Sequence, residues 1–131
     1  MQQNNRKDSR KRLIFDTNFI IYYAKQKKFF AIDFLTLNYH CTILDTCLKE
    51  LEQLLAGKHK ARVELMLEKI KELIARKKIK LLEARHRSVD REILALVEEK
   101  AVDALASFDK ELIKKAKKIN PLLIVVQRVE L

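Results

Sequence analysis

Short runs rich in consecutive apolar residues alternate along this chain with longer stretches whose apolar positions recur every three or four residues. The runs are 12–15 (R-L-I-F), 41–44 (C-T-I-L), 79–82 (I-K-L-L), 102–106 (V-D-A-L-A) and 122–126 (L-L-I-V-V). They lack strict polar alternation, as expected of strands covered on both faces. The stretches between them predict helices over 17–27, 29–38, 46–56, 60–77, 89–100 and 109–119. Between Lys60 and Lys77 the apolar residues Val63, Met66, Leu67, Ile70, Leu73 and Ile74 form one stripe opposite a charged face. Gly57 is a helix stop, and Pro121 breaks the last helix before the final strand. Strand and helix alternating to a closing apolar strand predicts an α/β fold, a mostly parallel five-stranded sheet between two helical layers.

The chain has 131 residues, a length that suits one compact domain, with 35% charged and 48% apolar residues. That composition excludes an intrinsically disordered polyelectrolyte. Residues 1–11 are polar and aperiodic and predict a mobile basic tail, leaving 12–131 as the single domain, with no repeat. No apolar run reaches the length of a membrane span and no signal-peptide core follows the basic start, so a cytoplasmic protein is expected. Cys41 and Cys47 fit no common zinc spacing and read as small buried apolar residues without a disulfide.

Charge changes the picture more than composition does. The formal net charge is +10. Residues 1–12 hold five basic and one acidic residue, 57–80 nine and three, and 110–118 five and one, whereas 13–56 and 81–109 are net acidic. Such segregation suits a polyanion gripped on basic faces while acids elsewhere hold a cation, although lysine-rich helix faces are also often merely solvated.

The acids stand at informative places. Asp16 ends the first strand and Asp109 follows the fourth, each where a strand gives way to a helix. Glu50 falls one turn into the helix after the second strand, and Asp90 in the first turn of the helix after the third. All four therefore belong to one end of their βα units, the end at which parallel sheets gather ligands. Helix capping or the helix dipole explains each acid taken singly. Acids converging at one sheet edge repel unless a cation lies between them, and an oxygen-only set suits Mg²⁺ or Mn²⁺ and phosphodiester hydrolysis.

The ordered pieces F-D-T-N, K-E-L-E-Q-L, S-V-D-R-E-I-L and A-S-F-D-K-E-L before L-L-I-V-V resemble the PIN-domain nucleases over nearly the whole chain, from Arg12 to about Arg128. The order is most similar to the archaeal and eukaryotic PIN proteins of ribosomal RNA processing, and less so to the toxins of toxin–antitoxin pairs. The resemblance implies a Rossmann-like PIN fold and a divalent-metal-dependent endoribonuclease. In it Asp16, Glu50, Asp90 and Asp109 form the acidic quartet, with Asp16, Asp90 and Asp109 as metal ligands. Asn18 and Ser107 take the supporting polar positions, Ser107 standing where the family more often has Thr. Two departures stand out. Arg91 replaces a second Asp common in related members and could pair with a carboxylate or bind phosphate, and Phe108 fills an often polar position, for packing or for stacking on a base.

RNA is the expected partner, with Arg12, Lys110 and Lys114 as candidate phosphate contacts. The rival readings are an RNA-binding or assembly module on the same fold without turnover, a toxin held by an antitoxin, and a helical interaction protein whose lysines are only solvated. F-I-I-Y-Y-A and K-K-F-F would serve either a homodimer surface or the core.

Overall fold

The computed structural model describes residues 9–130, so residues 1–8 of the predicted tail lie outside the described residues. The element order is β1 (Lys11–Phe15), α1 (Thr17–Lys25), α2 (Phe30–Asn38), β2 (Tyr39–Leu44), α3 (Asp45–Gln53), a 3₁₀ turn (Leu54–Ala56), α4 (Lys60–Ala75), β3 (Ile79–Leu82), α5 (Val89–Glu98), β4 (Ala104–Ala106), α6 (Lys110–Ile119) and β5 (Ile124–Val126). The five strands form one sheet in the order β3-β2-β1-β4-β5, and every pairing is parallel. The fold is therefore the α/β class the alternation predicts.

The chain runs from β1 outward through β2 to β3, then crosses to β4 on the other side of β1 and ends at β5. Right-handed crossovers in opposite directions put the helices before β3 on one face and α5 and α6 on the other. The packing agrees: α1, α3 and α4 contact one another, and α5 contacts α6. β1 is thus central, and Leu13, Ile14 and Phe15 are all 0% exposed. Three consecutive side chains hidden on both faces account for a strand without polar alternation. The same topology makes the β1–β4 border the switch point, the place at which parallel sheets bind ligands beyond the carboxyl ends of their strands.

Three helices end one turn or less before the apolar periodicity runs out. α1, α4 and α5 stop at Lys25, Ala75 and Glu98, and Lys27, Lys77 and Lys100 just beyond adopt left-handed backbone with φ of 59°, 61° and 59°. Each stop is a Schellman turn. In the first, Lys27 N–H donates to Ala24 O (3.0 Å) and Lys28 N–H to Tyr23 O (2.9 Å). Lysine does here what glycine usually does, so the ends carry no glycine signal. Cys41 and Cys47 are free and buried. Among the described residues no helix is long and apolar enough to cross a membrane.

Candidate active site

Asp16 leaves the buried end of β1, and its N–H donates to Ala106 O at 2.9 Å, which extends the β1–β4 ladder by one bond. Its backbone is extended (φ −90°, ψ 149°), so its side chain caps α1 while standing at the sheet edge. Oδ1 accepts from Thr17 N–H (2.9 Å) and Oδ2 from the Ser107 hydroxyl (2.7 Å). Ser107 is itself 0% exposed, and its Oγ accepts from Asp109 N–H at 3.0 Å. One hydroxyl therefore joins the two strand-end acids. Asn18 fixes the same loop from the other side, its Oδ1 accepting from Phe108 N–H at 3.1 Å.

Asp109 is the N-cap of α6, with Oδ1 accepting from Glu111 N–H (3.0 Å) and Leu112 N–H (3.1 Å). Capping and site placement are thus the same geometry, and one carboxylate oxygen performs both caps. Asp90 is not a cap. Ser88 caps α5 by accepting from Arg91 N–H (3.3 Å), which leaves the Asp90 carboxylate in the first turn and largely exposed. One carboxylate oxygen from each of Asp16, Asp90 and Asp109 lies within 4.8 Å of the others.

Glu50 stands beside this trio. The Thr17 hydroxyl donates to Glu50 Oε1 at 2.6 Å and lies 3.3 Å from Cys47 Sγ. Thr17 thus holds the fourth acid, a role the sequence did not single out although the residue follows Asp16 directly. Glu52 faces away and pairs with Lys71 (3.4 Å).

The electrostatics follow from crowding. Burial, above all, pushes the Asp16 pKa up to about 6; Asp90 and Asp109 add to the rise, while the Ser107 hydroxyl and Thr17 N–H oppose it. Asp90 is also raised, by loss of hydration and then by Asp109 and Glu50, with Lys115 acting the other way. Lys115 of α6, which was not among the sequence candidates, is therefore a cation that acts on Asp90. Three anionic oxygen donors at such range, one buried and reluctant to ionise, fit a hard divalent cation that takes oxygen ligands and keeps its waters.

Two further groups bear on the site. Glu92 is buried in α5, where its carboxylate accepts from the N–H groups of Arg85 and His86, from Arg85 Nε, and lies 2.8 Å from His86 Nδ1. Burial opposes its charge, but the bonds from His86 and Arg85 outweigh that and hold its pKa down to about 2. The loop ahead of Asp90 is thereby clamped, together with Asp45 Oδ1, which accepts from Ala84 N–H at 2.9 Å. Beside Glu50 a cavity of about 300 Å³ is lined by Thr46, Lys49, Glu50, Gln53 and Arg87, with Thr46 Oγ1 buried and unpartnered among the described residues.

The sequence candidates sort clearly. Asp16, Asp90 and Asp109 come together, with Glu50, Asn18 and Ser107 around them. Lys110 and Lys114 are exposed on the first turns of α6, next to the trio's helix end. Arg12 does not join them. It lies toward the amino end of β1, at the opposite edge, and binds Asp103 through Nε and Nη2 (2.9 Å each), which holds the Asp103 pKa down to about 2. The Arg91 side chain is exposed and has no carboxylate partner among the described residues. Phe108 packs, its ring stacked on Phe19 (centroids 5.7 Å apart, 17°) and tilted against Tyr22 (4.6 Å).

The parallel β3-β2-β1-β4-β5 sheet, with this acid cluster at the carboxyl ends of β1 and β4, has the fold of a PIN domain. The structure is similar to that of the PIN domain endonuclease Utp24, with a TM-score of 0.66 and 25% identity over 91% of this chain and 87% of that one. It is also similar to a domain of a functionally unknown protein from Methanocaldococcus jannaschii DSM 2661, with a TM-score of 0.59 and 17% identity over 92% of this chain and 97% of that one. No family model and no curated protein matches the sequence.

Proposed function

We propose that this PIN domain is a divalent-metal-dependent endoribonuclease, with RNA as substrate and ribosomal RNA processing as its setting. The observation that carries the reading is the convergence of Asp16, Asp90 and Asp109 within 4.8 Å from three separate βα units. Such a set is costly to assemble without a counter-ion, and Mg²⁺ or Mn²⁺ suits its donors. When bound, the ion supplies Lewis-acid activation of water and neutralises charge on the phosphodiester.

The chain's own groups have distinct tasks. Ser107 and the Thr17 N–H fix both oxygens of Asp16, so that carboxylate is set before any ligand arrives. Thr17 holds one oxygen of Glu50 and leaves the other to accept a proton from an attacking water. Lys49 and Arg87, in the cavity beside Glu50, hold the phosphate as it lies across the acids. Arg91 has no carboxylate partner among the described residues, which leaves the acids to the cation and the guanidinium to the RNA backbone.

A labelled-RNA cleavage assay with Mn²⁺, Mg²⁺ or EDTA, comparing wild type with Asp16→Asn, tests the reading. Metal-dependent cleavage by wild type, reduced at least a hundredfold in the variant, is expected. Equal cleavage by the two proteins, or cleavage in EDTA, would refute it.

A further inference from the structure

One concentration of positive charge stands away from the acids. A cavity of about 560 Å³ opens at the amino-terminal ends of β1, β2 and β3; six of its twelve lining residues are Arg or Lys, and none is acidic. Arg12 is already bound to Asp103, and Arg10 donates to Thr36 O at 3.0 Å. Arg76, Lys77, Lys78 and Lys80 remain, all exposed and without a carboxylate partner among the described residues. They lie close together because α4 ends in a left-handed turn at Lys77, with Lys78 N–H donating to Leu73 O at 2.8 Å, before β3 begins. Lys80 then pairs in register with Thr42 of β2, which brings it against the same cavity. Like charges gathered without counter-charges raise the local positive potential, which attracts an anion. The half-buried Tyr39 ring in the lining adds a surface on which a base can stack.

We propose that this cavity is a second RNA site, which grips the phosphodiester backbone at the sheet edge opposite the acids. The choice of RNA rests on the nuclease reading above; the existence of an anion site does not. The two edges are separated by the five residues of β1, roughly 16 Å at ~3.3 Å per residue. A long strand can occupy both, whereas a dinucleotide at the acids cannot reach the cavity. The site therefore serves affinity and placement of long substrates and leaves the chemical step alone.

The test is fluorescence anisotropy of a long labelled RNA in EDTA over a range of salt. It compares wild type, the triple variant Arg76→Gln, Lys78→Gln, Lys80→Gln, and a control triple of equal charge change, Lys28→Gln, Lys58→Gln, Lys60→Gln. Each lost phosphate contact flattens the slope of log affinity against log salt by about 0.7 for single strands, so the cavity triple should lose about 2 units and at least tenfold in affinity at low salt. Equal losses in both triples, an unchanged cavity triple, or equal displacement of the RNA by poly-glutamate would overturn the proposal. Because binding is read without metal, an inactive wild type whose cavity triple alone loses RNA sinks the nuclease reading and spares this one. Active wild type with unaltered binding in the triple does the reverse.

Discussion

In the absence of metal, Asp16 is a burden on the fold. The residue is 4% exposed and its pKa stands at about 6, some two units above the ordinary carboxylate value. A folded pKa above the unfolded one means that the folded chain binds the proton more tightly, so stability is lost as pH rises. The penalty is complete above about pH 6 and vanishes below about pH 4. Two units correspond to about 3 kcal/mol. Asp16→Asn removes the charge and keeps the shape, at the cost of re-aiming the Ser107 hydroxyl, about 1 kcal/mol. The variant should therefore be more stable than wild type by about 1–2 kcal/mol at pH 7.5 in EDTA, and with ~4 °C per kcal/mol in a chain of this length its Tm should rise about 4–8 °C. At pH 5 the gap should fall to about half of that or less. Divalent metal should reverse the order, since a hundredfold excess over Kd adds about 2.7 kcal/mol to wild type alone. Thermal melts followed by circular dichroism at pH 7.5 and 5, with EDTA or Mn²⁺, measure all of this. A wild type at least as stable as the variant in EDTA, or a gap indifferent to pH, would refute the reasoning.

Other outcomes follow from single contacts. Glu92→Gln replaces a buried anion that four hydrogen bonds hold, so it should cost about 2 kcal/mol in a denaturant titration and lower kcat, because the loop that positions Asp90 loosens. Asp103→Asn should cost about 1 kcal/mol at pH 7, the partly exposed Arg12 pair being screened by solvent. Asp103 has a folded pKa below its unfolded one, so that difference should persist at and above about pH 4 and disappear in melts as pH falls toward 2. Lys27→Gly relieves left-handed strain at the end of α1 and should raise Tm by a few degrees, about 0.5–1 kcal/mol.

Much of this architecture was legible because its elements are locally consistent. Apolar runs hidden on both faces announce β1 and β2, and the acids stand at strand ends where any parallel sheet would expose them. What was not legible depends on partners distant in sequence. Arg12 reads as a free cation until the β1–β4 pairing sets it beside Asp103, 91 residues away. Glu92 carries no mark of its burial in the sequence, because its partners come from the Arg85–His86 loop that folds over it. Thr17 resembles a helix-starting residue, and only the packing of α1 on α3 reveals its bond to Glu50. The periodicity carries three helices on to Lys27, Lys77 and Lys100, past their ends at Lys25, Ala75 and Glu98, because left-handed lysines leave no compositional mark. The basic stretch over 57–80 was visible as charge, but not its concentration at the edge opposite the acids.

Anomalous diffraction from crystals soaked in Mn²⁺ tests the shared-cation claim most directly. A single strong peak about 2 Å from carboxylate oxygens of Asp16, Asp90 and Asp109, absent from Asp16→Asn crystals, is the predicted result. Saturating Mn²⁺ that leaves this cluster empty while occupying other acids would contradict it.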